Sequence, residues 1–164
     1  MTTENSTLTE DPTDHEASPE LVARRLAMAA LARAEPAELD SMLEALAPMP
    51  AAIDLRAPEV GLIMLRGRTG GDGAPFNLGE ATVSRAAVRL DGGAAGFSYR
   101  LGRAPQSARA AAIIDALWQD AGRRLAVEAA LAPVRERLAR EAGTVRAETA
   151  ATKVEFFTLV RGED

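Results

Sequence analysis

The sequence predicts an α+β fold: an N-terminal helical hairpin, an antiparallel sheet, C-terminal helices and a closing strand. Three observations carry that expectation. Proline and serine start signals stand ahead of apolar residues spaced three and four apart. Glycine and aspartate turns separate runs with strand-like alternation in the middle of the chain. A second apolar alternating run stands near the end, at 153–162. Residues 1–17 are acidic and poor in apolar side chains, so they are expected to be a disordered tail. Residues 18–164 are expected to form a single domain, since 164 residues suffice for one core.

Ser18-Pro19-Glu20 supplies an N-cap, a proline at the first helical position and an acid in the first turn. The first helix is expected to reach about Arg33, with Val22, Leu26, Ala29 and Ala30 as its apolar stripe. Pro36 restarts a second helix, in which Leu39, Met42, Leu43 and Leu46 share a face. Pro48 and Pro50 end it. Ala52 to Arg56 reads as a short strand. Val60 to Leu65 reads as a stronger one, apolar on both faces as a central strand is. The chain turns polar at Arg66 and Arg68 and enters a glycine-rich loop from Thr69 to Pro75.

Ala81 to Leu90 places Val83, Arg85, Ala87 and Arg89 on one strand face, and Ser84, Ala86, Val88 and Leu90 on the other. Arg85 and Arg89 would share a face in a helix too; the Asp91-Gly92-Gly93 turn favours a hairpin. The return strand puts Phe97, Tyr99 and Leu101 together, opposite Ser98 and Arg100. Core or cross-strand packing is the expected role of Phe97 and Tyr99, ahead of a base-stacking platform. A third helix over 105–121 buries Ala110, Ile113, Ile114 and Leu117, with Trp118 as a packing residue. Gly122 and Pro133 interrupt the pattern. A further helix runs to about Ala142, exposing Arg135, Glu136, Arg137, Arg140 and Glu141, and Gly143 breaks it. In the closing strand, Val154, Phe156, Thr158 and Val160 face one way, Phe157 and Leu159 the other. Such a strand needs cover, from its own sheet or a partner's. Phe156, Phe157 and Val160 are therefore candidate partner-strand contacts.

Composition excludes several chemistries. There is no cysteine, so disulfides, thiolate zinc sites, iron–sulfur ligation and a cysteine nucleophile are ruled out for this chain. The one histidine, His15, lies in the tail, so no Ser/His/Asp set and no metal site is expected. No run of about 18 apolar residues spans a membrane, and no basic stretch precedes an apolar one at the N-terminus. A cytoplasmic location is expected. The net charge of −5 conceals an asymmetry: residues 1–20 hold six acids and no Lys or Arg, while 56–109 hold eight arginines against four acids. A local anion site fits that balance. A nucleic-acid surface does not, because long basic tracts interleaved with aromatics are missing.

The glycine loop fails two phosphate tests. A Walker A loop needs a lysine that is absent, and Gly71-x-Gly73 lacks the third glycine of the dinucleotide fingerprint. A hairpin loop is the expected reading. Arg68, Arg85, Arg89 and Arg103 remain as candidate anion-binding or interface residues, since planar guanidinium groups suit phosphate and carboxylate oxygens alike. Glu59, Glu80, Asp91 and Asp115 could supply a carboxylate pair, but spacing brings no two of them together, and salt bridges to arginine are their expected role. No catalytic residue is assigned.

Four collinear stretches resemble the PhnG family, small subunits of the bacterial carbon–phosphorus lyase machinery for using phosphonates. They are Arg25 to Leu39; Glu59 to Leu90, including Gly67-Arg68-Thr69-Gly70-Gly71-Asp72-Gly73 and Ser84-Arg85-Ala86-Ala87-Val88-Arg89-Leu90; Gly96 to Arg103 with Asp115-Ala116-Leu117; and Val154 to Gly162. The chain departs from the family pattern at Ala104-Pro105 and Ser107-Ala108-Arg109, so no acid or histidine chemistry is carried over there. The resemblance implies an accessory subunit, not catalytic alone, in a hetero-oligomer with other carbon–phosphorus lyase core subunits. At the level of the complex, ATP and methylphosphonate would yield α-D-ribose 1-methylphosphonate 5-triphosphate with release of adenine. No cofactor is implied in this chain. The iron–sulfur cluster of the later radical cleavage belongs to another subunit. The alternative is a subunit that binds the triphosphate or phosphonate directly through arginines and shares an active site.

Overall fold

A computed structural model describes residues 18–70 and 73–152. The elements follow in the order α1 (Pro19–Arg33), α2 (Pro36–Ala45), β1 (Ala52–Arg68), β2 (Pro75–Leu90), β3 (Ala95–Leu101), α3 (Pro105–Gln119) and α4 (Arg124–Ala151). The three strands form one antiparallel sheet in the order β1-β2-β3. The α+β class and the N-terminal, sheet and C-terminal order match the sequence expectation. The closing strand expected over 153–162, and the tail over 1–17, lie outside the described residues.

Local chemistry sets the helix starts. The Ser18 hydroxyl accepts from the Leu21 N–H at 3.3 Å, capping α1. At α2, Pro36 stands at the first helical position and the Glu38 carboxylate accepts from the Glu35 N–H at 2.8 Å. Extended backbone at Ala34 and Glu35 separates the two helices. They pack on α3 and α4 rather than along each other, so the expected helical hairpin is two helices docked on a common support. That support is α3, buried over Ala110–Trp118 and lying across one face of the sheet.

Several expectations need correction. The buried stripe of α1 is Ala27, Ala30 and Leu31, while Val22, Leu26 and Ala29 are exposed. Small residues are selected there because α1 packs against the alanine-rich α3. The two strands expected over 52–65 are one strand, continuous to Arg68 through bulges near Arg56 and at Leu65/Arg66. Among the described residues it is an edge strand, not a central one, and β2 is central. α4 runs unbroken through Pro133 and Gly143. Val127, Leu131 and Val134 are buried on either side of that proline, so tertiary packing outweighs its local cost. Its charges are not merely solvated: Arg135 bonds Glu128, and Arg137 bonds Glu38 and Glu141.

The largest correction concerns β3. Phe97, Tyr99 and Leu101 are 46, 53 and 74 % exposed, whereas Ser98 and Arg100 are 5 and 8 % exposed. The core role offered for Phe97 and Tyr99 is not met, whereas cross-strand placement beside Ala87 and Arg85 is. Gly96 gives the reason: a Cβ there would stand 2.0 Å from the Ala112 carbonyl oxygen and 2.6 Å from the Ala116 nitrogen. α3 therefore rests directly on the β3 backbone, and only small side chains fit beneath it. Arg100 enters that face because its guanidinium donates to the Leu31 and Ala34 carbonyl oxygens at the end of α1. The Leu31 carbonyl otherwise accepts only from the capping Ala34 N–H, at 3.4 Å, and the helix dipole favours a cation there.

β2 pairs with β1 along almost its whole length, but with β3 only from Val83 to Arg89. Beyond Val83, β1 and β2 continue as a two-stranded arm about 25 Å long. Leu62, Met64, Leu65, Phe76 and Leu78 are all exposed on it, and Val60 is exposed at its root. The expected core role of Val60–Leu65 is thus not met within the described residues.

Candidate functional site

The face of the sheet turned away from α3 gathers the chain's most distinctive chemistry among the described residues. The register aligns Glu59 with Arg85 and Tyr99 in one row, and Arg56 with Ala87 and Phe97 in the next. Arg85 and Arg89 lie on this face, as alternation predicts. The Arg85 Nε donates to Glu59 Oε1 at 2.9 Å, and its guanidinium lies over Gly61, 3.6 Å from where a Cβ would stand. An Arg56 nitrogen stands 3.7 Å from the same Glu59 oxygen. Ala87 is small, so it forms the floor of a cavity of about 310 Å³ between Leu55 and Arg56 on one side and Phe97 and Tyr99 on the other.

The other candidate arginines are elsewhere. Arg68 is at the distal end of the arm, about 30 Å from Arg85 along the strands, and donates to the Gly73 carbonyl at 3.3 Å. Arg103 is exposed, past the end of β3. The structure therefore leaves Arg85 and Arg89 on one sheet face, about 13 Å apart along β2, with Arg85 alone lining the cavity, and separates Arg68 and Arg103 from them. Phe156, Phe157 and Val160 lie outside the described residues. Sequence reasoning missed Arg56 and the outward direction of Phe97 and Tyr99. The signal was present: Ala94, Gly96 and Ser98 are small at alternate positions, which marks the helix-covered side.

The carboxylates are mostly structural. Asp115, 1 % exposed, accepts from Arg24 Nε at 3.0 Å and Nη2 at 2.8 Å, and from the Phe97 N–H at 2.9 Å. It ties α1, α3 and β3 together. Glu59 bonds Arg85, so the salt-bridge reading holds for both residues. Glu80 and Asp91 have no ion pair among the described residues. Trp118 is a packing residue, as expected; its Nε1 donates to Glu128 at 2.6 Å. The Arg135 guanidinium, and then the Trp118 N–H, hold the Glu128 carboxyl below its usual range. No three of His, Cys, Asp and Glu gather as a metal site among the described residues. No helix among them is long and apolar enough to cross a membrane.

Further cavities lie elsewhere. One of about 300 Å³ lies between α1 and the β3 edge, by Arg25, Met28 and Tyr99. Another, of about 450 Å³, lies between α2 and α4. Its charged group, Glu38, is already held by Arg137 at 2.7 and 2.8 Å. We therefore place the candidate site on the open sheet face, where guanidinium amino groups have no protein acceptor among the described residues.

Comparison with known proteins supplies the wider frame. The profile of the family described as phosphonate metabolism protein PhnG matches residues 22–162. A protein of Rhizobium meliloti (strain 1021), alpha-D-ribose 1-methylphosphonate 5-triphosphate synthase subunit PhnG, is 52 % identical over 141 residues, covering 86 % of this chain and 90 % of that one. With a match of this extent, running from within α1 past the end of α4, the chain belongs to the PhnG family.

Proposed function

We propose that this chain is the PhnG-type subunit of alpha-D-ribose 1-methylphosphonate 5-triphosphate synthase and acts in phosphonate metabolism. The observation that carries this reading is the 52 % identity to the Rhizobium meliloti subunit across nearly the full length of both chains. The subunit is accessory: it supports transfer of methylphosphonate to the ribose of ATP with release of adenine. It works with other carbon–phosphorus lyase core subunits in a cytoplasmic hetero-oligomer. No cofactor is assigned to this chain; an iron–sulfur cluster belongs to another subunit.

Physical features support a subunit role. The arm exposes apolar side chains on both faces, more than an isolated domain keeps in water. The apolar alternation at 153–162 is a second candidate partner contact, through Phe156, Phe157 and Val160. The test is co-expression with the other synthase subunits. The chain is expected to co-purify with them and to make no triphosphate ester alone. Synthesis by the isolated chain would overturn the accessory role; failure to co-purify would overturn membership.

A further inference from the structure

The open face presents two aromatic rings and two guanidinium groups, those of Arg56 and Arg85, around one slot, with Arg89 exposed two positions beyond Ala87 on β2. Rings facing away from the core lose their burial energy, so folding does not explain Phe97 and Tyr99 on this side. They stand at alternate positions of β3, about 7 Å apart along the strand, which leaves room for a planar base between or across them. Opposite them, Arg85 uses only Nε on Glu59, and its two amino groups meet no acceptor among the described residues. Arg56 shares that one carboxylate, and Arg89 has no ion pair among the described residues. Asp54, the other acid nearby on β1, is engaged by Arg109 at 2.8 Å. Positive charge is thus in excess beside the rings.

We propose that this face is a nucleoside triphosphate site: the base stacks on Phe97 and Tyr99, and Arg56, Arg85 and Arg89 hold the phosphates. The choice of a triphosphate rests on the synthase reading above; the base is called for by the rings. Stacking on aromatic side chains and fork-like guanidinium contacts to phosphate are the two interactions such a ligand needs. The slot of about 310 Å³ suits one nucleotide. A strand of RNA would need a longer basic track than this acidic chain provides. Glu59 becomes the positioning residue, aligning Arg85 through Nε and leaving its outer amino groups for phosphate.

The test is calorimetric titration of the full-length chain with ATP, with adenosine and with inorganic tripolyphosphate. ATP is expected to bind at one site. Tyr99→Ala weakens ATP and adenosine about tenfold or more and leaves tripolyphosphate unchanged, whereas Tyr99→Phe keeps all three. Arg85→Gln weakens ATP and tripolyphosphate but not adenosine. Both side chains are at least partly exposed, and circular dichroism checks that the variants fold. Absence of saturable ATP binding, or ATP binding indifferent to both substitutions, overturns the site. So does tighter binding of an oligoadenylate than of ATP. Variants that lose the other synthase subunits while still binding ATP mark the face as an interface and overturn it too. Native chain that binds ATP but fails to co-purify refutes synthase membership and leaves this site standing.

Discussion

The two faces of one sheet differ more than any two elements of this molecule. Beneath α3 lie Ser84, Ala86, Val88 and Gly96, small or apolar and closed to water. On the other side stand Arg56, Arg85, Arg89, Phe97 and Tyr99, at least partly open to it. Beneath α3 the covered face is governed by distance: the helix backbone comes so near Gly96 that size selects the residues there. The open face is under no such constraint, so its large rings and guanidinium groups answer to something other than packing.

The comparison can be broken first at Asp115. Asp115→Ala strands Arg24 and the Phe97 N–H and is expected to cost about 3–5 kcal/mol, read by urea unfolding. A loss under about 1 kcal/mol would show that this carboxylate does not hold the covered side together. Gly96→Ala comes next. Its methyl group collides with the α3 backbone, and a loss of about 3 kcal/mol is expected, visible as a lower thermal midpoint. On the opposite face, Tyr99→Ala should change stability by about 1 kcal/mol or less; equal losses from the two substitutions would erase the distinction between the faces.

A smaller effect depends on pH. The hydrogen-bonded Arg137 guanidinium holds the Glu38 carboxyl below its usual range. A depressed carboxyl binds fewer protons folded than unfolded, so its contribution is fully present above the ordinary carboxylate pKa. It is lost as pH falls through the lowered folded value. Glu38→Gln should therefore flatten that acid limb of a stability–pH curve, and an unchanged limb would refute the linkage. Smallest in stability is Leu62→Ser on the arm. Folding should shift by about 0.5 kcal/mol or less, while co-purification with synthase subunits falls; undisturbed assembly would count against the arm as a contact.

What was legible in the sequence was what local chemistry decides. Ser18-Pro19, Pro36 and Asp91-Gly92-Gly93 mark boundaries through caps and turns, and the structure has α1, α2 and the β2–β3 hairpin there. Gly92 adopts φ +64°, as such a turn requires. Direction was harder. Alternation separates Phe97 and Tyr99 from Ser98 and Arg100 but carries no sign, and hydrophobicity assigned the wrong one. The sign was set by Gly96 against α3, a contact between segments apart in the chain. β1 misled for a related reason: apolar character on both faces is the mark of a central strand, and among the described residues a two-stranded arm carries it. Arg85 and Arg89 were found because strand spacing is local. Arg56 was missed because its bulge shifts the register.

The point where β3 ends has a consequence for amide hydrogen exchange. From Val83 to Arg89, β2 is bonded on both edges; over 76–82 it has, among the described residues, a strand on one edge alone. Deuterium should enter the distal amides in brief openings while the proximal ones hold out toward global unfolding. A subunit that seats itself along the arm would slow the first group and leave the second unchanged. One stretch of β2 would then serve as a clock for assembly, with the other as its internal standard.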